Sequence, residues 1–436
     1  MIGVGIGLGI GELRGRAPGI APKLDLNFAS TKSLTASKGP TPSFSRASTG
    51  TFFNSSGVLT SAAINAPRFN HTFNGTSWVS RGLLVEEQRT NQLTNSNNFS
   101  SGFPIGGAQW LSGAAISPDG TNNAWKIFES APASGSVDQR KYNSVSFSGA
   151  QSSFSIYAKA AERRRILLFV NGPDKGAWFD LVSKTCAEDP AYPGASPTIQ
   201  DAGNGWCRCT IVTPNIASIT NLQIQLLLDG ATSNPNRVGD GVSGVYLAFV
   251  QHEIGAFPTS YIGTTSSATT RSADVCQITG SDFSGFWNGT EGTIAVEYDR
   301  IADLLTSWSG DAPTAVEFND ATNNNRIAIR SRRSGSNFEQ GIINTANVLV
   351  ADFQSSPAAG SGNPVRATIG LKLNDSAYSK NGESPISDTS CSLGSATQLL
   401  IGNGGTTGIF TLNGHIARLR YYRKRLPNAT LQKLST

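Results

Sequence analysis

The sequence predicts an all-β protein built as two jelly-roll-type β-sandwiches in tandem after an extended N-terminal arm. Three observations carry this. Apolar and polar residues alternate with a period of two through many short segments, the pattern of strands that face a core on one side. Clusters of Gly, Asn, Ser and Pro break those segments, and 47 Gly with 20 Pro in 436 residues exceed the usual share of roughly 12%, as frequent turns require. Finally, 436 residues are too many for one ordinary core, since a domain takes about 100–200. The chain reads as an anchoring arm (1–42), a hairpin with a connecting segment (43–94), a first sandwich (95–270) and a second sandwich (271–436).

The arm opens MIGVGIGLGIGELRGR, with Ile2, Val4, Ile6, Leu8 and Ile10 alternating with glycines. An extended strand of this kind has one apolar face and one bare face, and its glycines cost backbone entropy, so it is not stable alone. It reads as an assembly anchor that adds a strand to a partner protein; a tail without fixed structure is the alternative. No basic residue precedes the apolar run, so a signal sequence fits poorly. Residues 17–42 hold four prolines and one short alternating piece, Leu24, Leu26 and Phe28, suited to pairing with a strand elsewhere.

Residues 81–99 read RGLLVEEQRTNQLTNSNNF and form the joint before the first sandwich. Leu83, Leu84 and Val85 are expected to be buried against that sandwich, with Glu86, Glu87, Arg89 and Asn91 tying the joint by hydrogen bonds and ion pairs. Downstream, Phe154, Ile156 and Ala158 alternate with Ser153, Ser155 and Tyr157, and Leu222, Ile224 and Leu226 alternate with Gln223, Gln225 and Leu227. Residues 166–170 are apolar on both faces, as in a strand covered on both sides. In the second sandwich Ile294, Val296 and Tyr298 share a face; so do Val365, Ala367, Ile369, Leu371 and Leu373, and near the end Ala417, Leu419 and Tyr421. Asn428 is placed to cap a short helix carrying Leu431 and Leu434.

Composition excludes several function classes. Charged residues are only 15% of the chain and the net charge is +5, while the densest basic spots, residues 163–165, 332–333 and 423–425, fit solvated strand faces or turns, so no nucleic-acid partner is expected. No apolar run reaches the ~18 residues of a membrane span, and no membrane insertion is expected. Cys186, Cys207, Cys209, Cys276 and Cys391 form neither a disulfide framework nor a zinc pattern and read as reduced core residues.

No catalytic constellation emerges. The histidines are His71, His252 and His415, and no G-x-S-x-G elbow or phosphate loop is present. Glu86 and Glu87 are adjacent, so in an extended chain they point to opposite sides and cannot flank one glycosidic bond. The DATNNN run at 320–325 has oxygen ligands for Ca2+ but not the spacing of a metal loop, and a turn is the better reading. No metal or cofactor is expected. Glycan binding needs exposed rings that stack on sugar C–H faces, and Trp178 and Trp308 are the candidates, lying beside Gly or Ser in less regular sequence.

Several strings also carry a family resemblance. SRASTGTFFNSSG, APRF at 66–69 and GLLVEEQRTNQL at 82–93, followed by SFSIYAKA, DAGNGWCRCTI and QHEIGAFPTSYIGTTSSATTRSADV, resemble a module of tailed-phage virion proteins whose sandwich is similar to carbohydrate-binding modules. Departures are Cys207 and Cys209, where the family more often has Tyr and Ser, and His252, where an acidic residue or Leu is common. EGTIAVEY, LKLNDSAYSKNGES and LNGHIARLRYYRKRLPNATLQKLS are similar to a concanavalin- or laminin-G-like sandwich that commonly follows it. The resemblance implies a non-enzymatic virion structural protein, most simply a homotrimeric tail fibre or receptor-binding subunit. It would be held to other virion proteins by its arm and present its sandwiches to a host surface glycan. Decoration of the head or neck, and depolymerisation of capsule or lipopolysaccharide, are the alternatives it leaves open. Deleting residues 1–15 is expected to abolish incorporation into virions while both sandwiches stay folded; a truncated chain that still incorporates would remove the anchor.

Overall fold

The computed structural model describes residues 21–147, 151–214, 218–301, 312–334, 336–405 and 410–436. The protein is all-β, with a few helices of seven residues or fewer among the described residues. It forms two compact units, each assembled from separated pieces of chain. One holds the residues up to Ser45, Arg81–Glu87 and Asp274–Thr436; the other holds Arg46–Ser80 and Gln88–Ala273. This interleaving departs from the contiguous blocks read from the sequence. Ile2, Val4, Ile6, Leu8 and Ile10 lie outside the described residues.

In the Gln88–Ala273 unit, a six-stranded sheet runs in the order Ser196–Asp201, Trp206–Thr213, Ser152–Ala160, Gly244–Ile254, Ala124–Phe128, Gln109–Ala115. A five-stranded sheet runs Arg140–Phe147, Ile219–Leu227, Arg165–Asn171, Lys175–Asp180, Thr185–Glu188. Phe154, Ile156 and Ala158 from the first sheet and Ile166, Leu168, Val170, Leu222, Ile224 and Leu226 from the second belong to one buried cluster. Each such large side chain contributes about 1.5–3 kcal/mol by burial. Cys207 and Cys209 join this core as free thiols, and burial pushes the Cys207 thiol up to about 11. Tyr157 faces the other way, where Leu59, Trp206, Phe249 and Tyr261 form a second cluster. That cover explains why Ser152–Ala160 is buried on both faces.

Arginines of the motif strings clamp main chain in this unit. Fully buried Arg46 donates to the carbonyls of Ser48 (2.8 Å), Ala63 (2.8 Å) and Ala66 (3.0 Å). Arg68 donates to the Thr51 carbonyl at 3.0 Å and the Ser260 hydroxyl at 2.7 Å. Arg89 reaches the Ile254 carbonyl and lies over the Phe257 ring at 4.8 Å. Carbonyls in irregular backbone need such donors when buried. The basic run 163–165 is likewise spent on ion pairs: Arg163 with Glu129 at 2.7 Å, and Arg164 and Arg165 with Asp180 at 2.8 and 3.1 Å.

In the unit containing Asp274–Thr436, one sheet runs Ile386–Asp388, Ser376–Lys380, Val365–Lys372, Glu291–Arg300, Gly414–Tyr422. The outer edge of Gly414–Tyr422 is taken by two early segments: Leu24–Leu26 pairs with Tyr421 to Leu419, and Leu83 to Val85 pair with Ile416 to Gly414. The second sheet runs Ser43–Ser45, Val275–Thr279, Gln398–Ile401, Thr314–Asn319, Arg326–Ser334, Ser336–Thr345, Val348–Ser355. Tyr298 of the first sheet donates to Glu339 of the second at 2.5 Å, a buried cross-sheet bond.

Four expectations are corrected here. Leu83, Leu84 and Val85 are buried, but within the unit of Gly414–Tyr422, because their free main-chain edge pairs there. Leu373 is 62% exposed, since Val365–Lys372 ends one residue earlier in a turn. Gly414, His415, Ile416, Leu419, Tyr421 and Tyr422 are the buried residues of the last strand, while Ala417 is only half-buried; a bulge opposite Glu297 and Tyr298 shifts the register and breaks the alternation. The terminal helix Asn428–Leu434 buries Leu431 and Leu434 as expected, but its cap is Pro427. Asn428 instead accepts from Arg425 at 2.6 Å.

Leu84 is 3% exposed and lies opposite His415. Leu84→Asp would bury an unpaired charge and is expected to destabilise the protein by about 2–5 kcal/mol. Urea unfolding measures this, and an unchanged midpoint would contradict the burial.

Candidate functional site

The five-stranded sheet of the Gln88–Ala273 unit has an inner face on the core and an outer face that is polar on its outermost strands. Residues opposite one another in antiparallel strands share a face. Arg140, Gln225, Leu167 and Trp178 therefore form one cross-strand row, and Tyr142, Gln223, Phe169 and Gly176 the next. The loop after Thr185–Glu188 folds back toward this face. Asp189 N donates to the Gly176 carbonyl and Tyr192 N to the Asp189 carbonyl, at 2.9 and 3.0 Å, and Lys175 Nζ donates to the Pro193 carbonyl at 2.6 Å.

Loop and sheet enclose a cleft of about 420 Å³, lined by Arg140, Phe169, Asn171, Asp174, Asp189, Ala191, Tyr192, Gln223, Gln225, Ser233, Asn234 and Pro235. Its volume lies in the range of small-ligand sites, roughly 300–1,000 Å³. Tyr192 is 43% exposed and meets Phe169 edge-on, with ring centroids 5.0 Å apart, so the tyrosine keeps ring surface free. A chain of side-chain amides crosses the floor. Gln225 Nε2 donates to Gln223 Oε1 (2.9 Å), Gln223 Nε2 donates to Asn221 Oδ1 (2.8 Å), and Arg140 Nη1 also donates to Gln223 Oε1 (3.3 Å). Asp189 is 1% exposed and accepts from Ala191 N at 2.9 Å; burial pushes its carboxyl above the usual range. Gly176 makes room, since a Cβ there would stand 3.0 Å from the Phe169 ring and 3.4 Å from Asp189 Cβ.

A free ring, fixed amides and a carboxylate beside them suit a ligand rich in hydroxyl groups and C–H faces. Trp178 shares the outer face but lies outside the cleft lining, and Arg165 covers its ring at 4.5 Å. Trp308 lies outside the described residues. Sequence reasoning assigned Gln223 and Gln225 to a strand without giving them a role. Two glutamines at polar positions of an otherwise apolar strand were the available signal. Tyr192 and Asp189 sit in a loop and carry no periodicity.

Other residues weighed in the sequence are engaged in hydrogen bonds within the fold. Glu87 and Asn413 bond reciprocally, Glu87 N to Asn413 Oδ1 at 2.9 Å and Asn413 Nδ2 to Glu87 Oε2 at 3.0 Å. His415 is buried with Nδ1 2.8 Å from Asp299 Oδ1. Asp320 accepts from Thr322 Oγ1 (2.5 Å) and Asn325 Nδ2 (2.7 Å), closing its own turn. Among the described residues no group of three or more His, Cys, Asp or Glu could hold a metal ion, and no helix is long and apolar enough to cross a membrane.

No protein-family model matches the chain, and no curated protein matches it. Solved structures give weak likenesses. Domain 4 of AbnA, a GH43 extracellular arabinanase from Geobacillus stearothermophilus in complex with arabinotriose, is 12% identical with a TM-score of 0.29, matching 41% of this chain and 82% of its own. Domains LG4-5 of the mouse laminin α1 chain are 11% identical with a TM-score of 0.24, matching 65% of this chain and 86% of their own. Trypanosoma rangeli sialidase is 9% identical with a TM-score of 0.22, matching 75% of this chain and 71% of its own. The functional reading therefore rests on the chain's own residues.

His252 generates a separate expectation. It is fully buried and stacked on Phe147 at 4.5 Å, and neither ring nitrogen has a hydrogen-bond partner. Burial pushes its pKa down to about 3, whereas an unfolded histidine titrates near ~6.5. Below that pH the unfolded chain takes up a proton that the folded chain refuses. The stability associated with the neutral ring is thus complete above pH ~6.5 and is lost as pH falls toward 3, by about 1 kcal/mol per pH unit. His252→Leu is expected to remove that slope. Denaturant unfolding from pH 6.5 to 4 measures it, and an unchanged stability difference across the window would contradict the reading.

Proposed function

We propose that this protein binds a glycan through the cleft lined by Tyr192, Phe169, Gln223, Gln225 and Asp189, as a structural, receptor-binding component of a tailed-phage virion. The observation that carries the binding half is the combination of a half-exposed ring with a hydrogen-bonded amide chain in one cleft of about 420 Å³. Aromatic stacking supplies affinity, and fixed polar groups set orientation. The virion half is supported by the motif order from SRASTG through EEQRTN to FPTSYIGTT. In this reading the N-terminal arm docks on other virion proteins, three copies form the fibre, and the sheet face is offered to the host surface. Placement on the head or neck would use the same contacts.

One observation favours a second reading, glycan hydrolysis. Asp189, whose carboxyl is held protonated to higher pH by burial, lines the same cleft as Asp174, and glycosidases pair a raised carboxylic acid with a second carboxylate. Binding is the primary proposal because Asp174 is exposed in a turn, where its carboxylate accepts from the Gly172 N–H of that turn at 3.3 Å.

Incubating purified protein with host surface polysaccharide separates the two. Retention on the polysaccharide, weakened about tenfold or more in Tyr192→Ala, with no new reducing ends, is the expected result. New reducing ends that disappear in Asp189→Asn would establish hydrolysis instead, and retention unchanged in Tyr192→Ala would remove the cleft from the function.

A further inference from the structure

Resting on the glycan-binding reading, we infer that the ligand of this cleft is an uncharged glycan, and that Asp189 is the specificity-determining residue, accepting hydrogen bonds from its hydroxyl groups. The charges that line the cleft are Arg140, Asp174 and Asp189. Arg140 is already engaged: its Nη2 is 2.8 Å from Asp138 Oδ2 and its Nη1 donates to Gln223 at 3.3 Å. What remains is two carboxylates and no uncommitted cation among the lining residues. A uronate, sialate, sulfate or phosphate group entering here would meet like charge across a partly desolvated space, where repulsion is weakly screened.

The hydrogen-bonding polarity of the lining points the same way. Asp189 is a nine-tenths buried carboxyl whose one hydrogen bond in the structure, from Ala191 N at 2.9 Å, goes to Oδ1. Its other oxygen lacks a donor. Gln225 gives its amide N–H to Gln223, and its own carbonyl oxygen accepts no bond from a described residue. Asp174 adds a further acceptor at the rim. Acceptors facing a cleft are open to donors from the ligand. Sugar hydroxyls and N-acetyl N–H groups donate; ionised acidic groups only accept. A neutral donor-rich ligand therefore satisfies Asp189 and Gln225 together, whereas an ionised acidic group placed against them satisfies neither. Burial already pushes the Asp189 carboxyl up, so a second negative charge beside it would be unfavourable.

The test applies the full-length chain to a glycan array carrying neutral oligosaccharides beside sialylated, uronate-containing and sulfated ones. Hits are re-measured in solution at about 0.05 and 0.5 M NaCl, conditions that change the screening length severalfold. Three variants accompany the wild type: Asp189→Asn, which keeps shape and the Ala191 contact; Asp174→Asn at the exposed rim; and Tyr192→Ala. Thermal melting confirms that each is folded. The expected result is that hits are neutral glycans, that their affinity is unchanged with salt, and that Asp189→Asn weakens them about tenfold, the loss expected for a charge-assisted bond. Acidic hits whose binding falls with salt, improves in Asp174→Asn or Asp189→Asn, and is lost in Tyr192→Ala would overturn the neutral-ligand inference while leaving the cleft as the glycan site. Neutral hits lost in Tyr192→Ala but unaffected by Asp189→Asn would remove Asp189 from recognition and overturn that part. Hits unaffected by all three variants, or no hits at all, would overturn the glycan-binding reading and this inference with it.

Discussion

The free hydrogen-bonding edge of Gly414–Tyr422 is the constraint on which one whole unit depends. On one side this strand pairs along its length with Glu291–Arg300. On the other it would expose a row of unpaired N–H and C=O groups, a template for association with other chains. Two segments from the beginning of the chain cover its two ends: Leu24–Leu26 at Tyr421 to Leu419, and Leu83 to Val85 at Ile416 to Gly414. Each is pinned by a charge pair. Asp25 receives Arg418 through two bonds at 3.0 and 2.8 Å, and Asp299 receives Arg81 at 2.9 Å while also contacting His415. Gly82, at φ +94, permits the approach, since a Cβ there would stand 2.2 Å from the Ile416 carbonyl oxygen.

This arrangement gives the EEQRTN stretch its physical meaning. Its residues bond to main chain and side-chain amides of the fold: Glu87 with Asn413, Arg89 with the Ile254 carbonyl, and the Glu86 main-chain N–H with Asp274 at 2.9 Å. The arginines of SRAST and APRF do the same work for the Ser48, Ala63, Ala66 and Thr51 carbonyls. A motif rich in Arg and Glu can thus encode the completion of irregular backbone. Because the segments that close the sheet lie hundreds of residues from their partners, folding must pay loop-closure entropy before the pairing is rewarded.

The candidate site follows from a different economy. In the five-stranded sheet the apolar alternates Leu222, Ile224 and Leu226 are consumed by the core, which leaves Gln223 and Gln225 on the opposite face, beside the small apolar cluster of Leu167, Phe169 and Leu227. Hydrogen bonding to one another and to Arg140 orients them, and the loop carrying Asp189 and Tyr192 supplies the wall. The sheet is the rigid element, and the loop brings the ring and the carboxyl to it.

The longer strands were legible from the sequence by itself, because a period of two is a local property: Ser152–Ala160, Arg165–Asn171, Ile219–Leu227, Gly244–Ile254 and Val365–Lys372 all fall where alternating or doubly apolar runs lie. The all-β class, the short pairing piece at Leu24 and Leu26, and the core role of Cys207 and Cys209 came from the same local reading. Tertiary structure alone decided which sheet receives Leu83 to Val85, where the bulge opposite Tyr298 moves Ile416 into the core, and that Tyr192 and Asp189 meet Gln225 in one cleft. Each of these depends on which edge or loop reaches which partner across long stretches of chain. A residue's neighbours in sequence do not specify that choice, because pairing depends on the cross-strand and same-face partners that only the folded chain supplies.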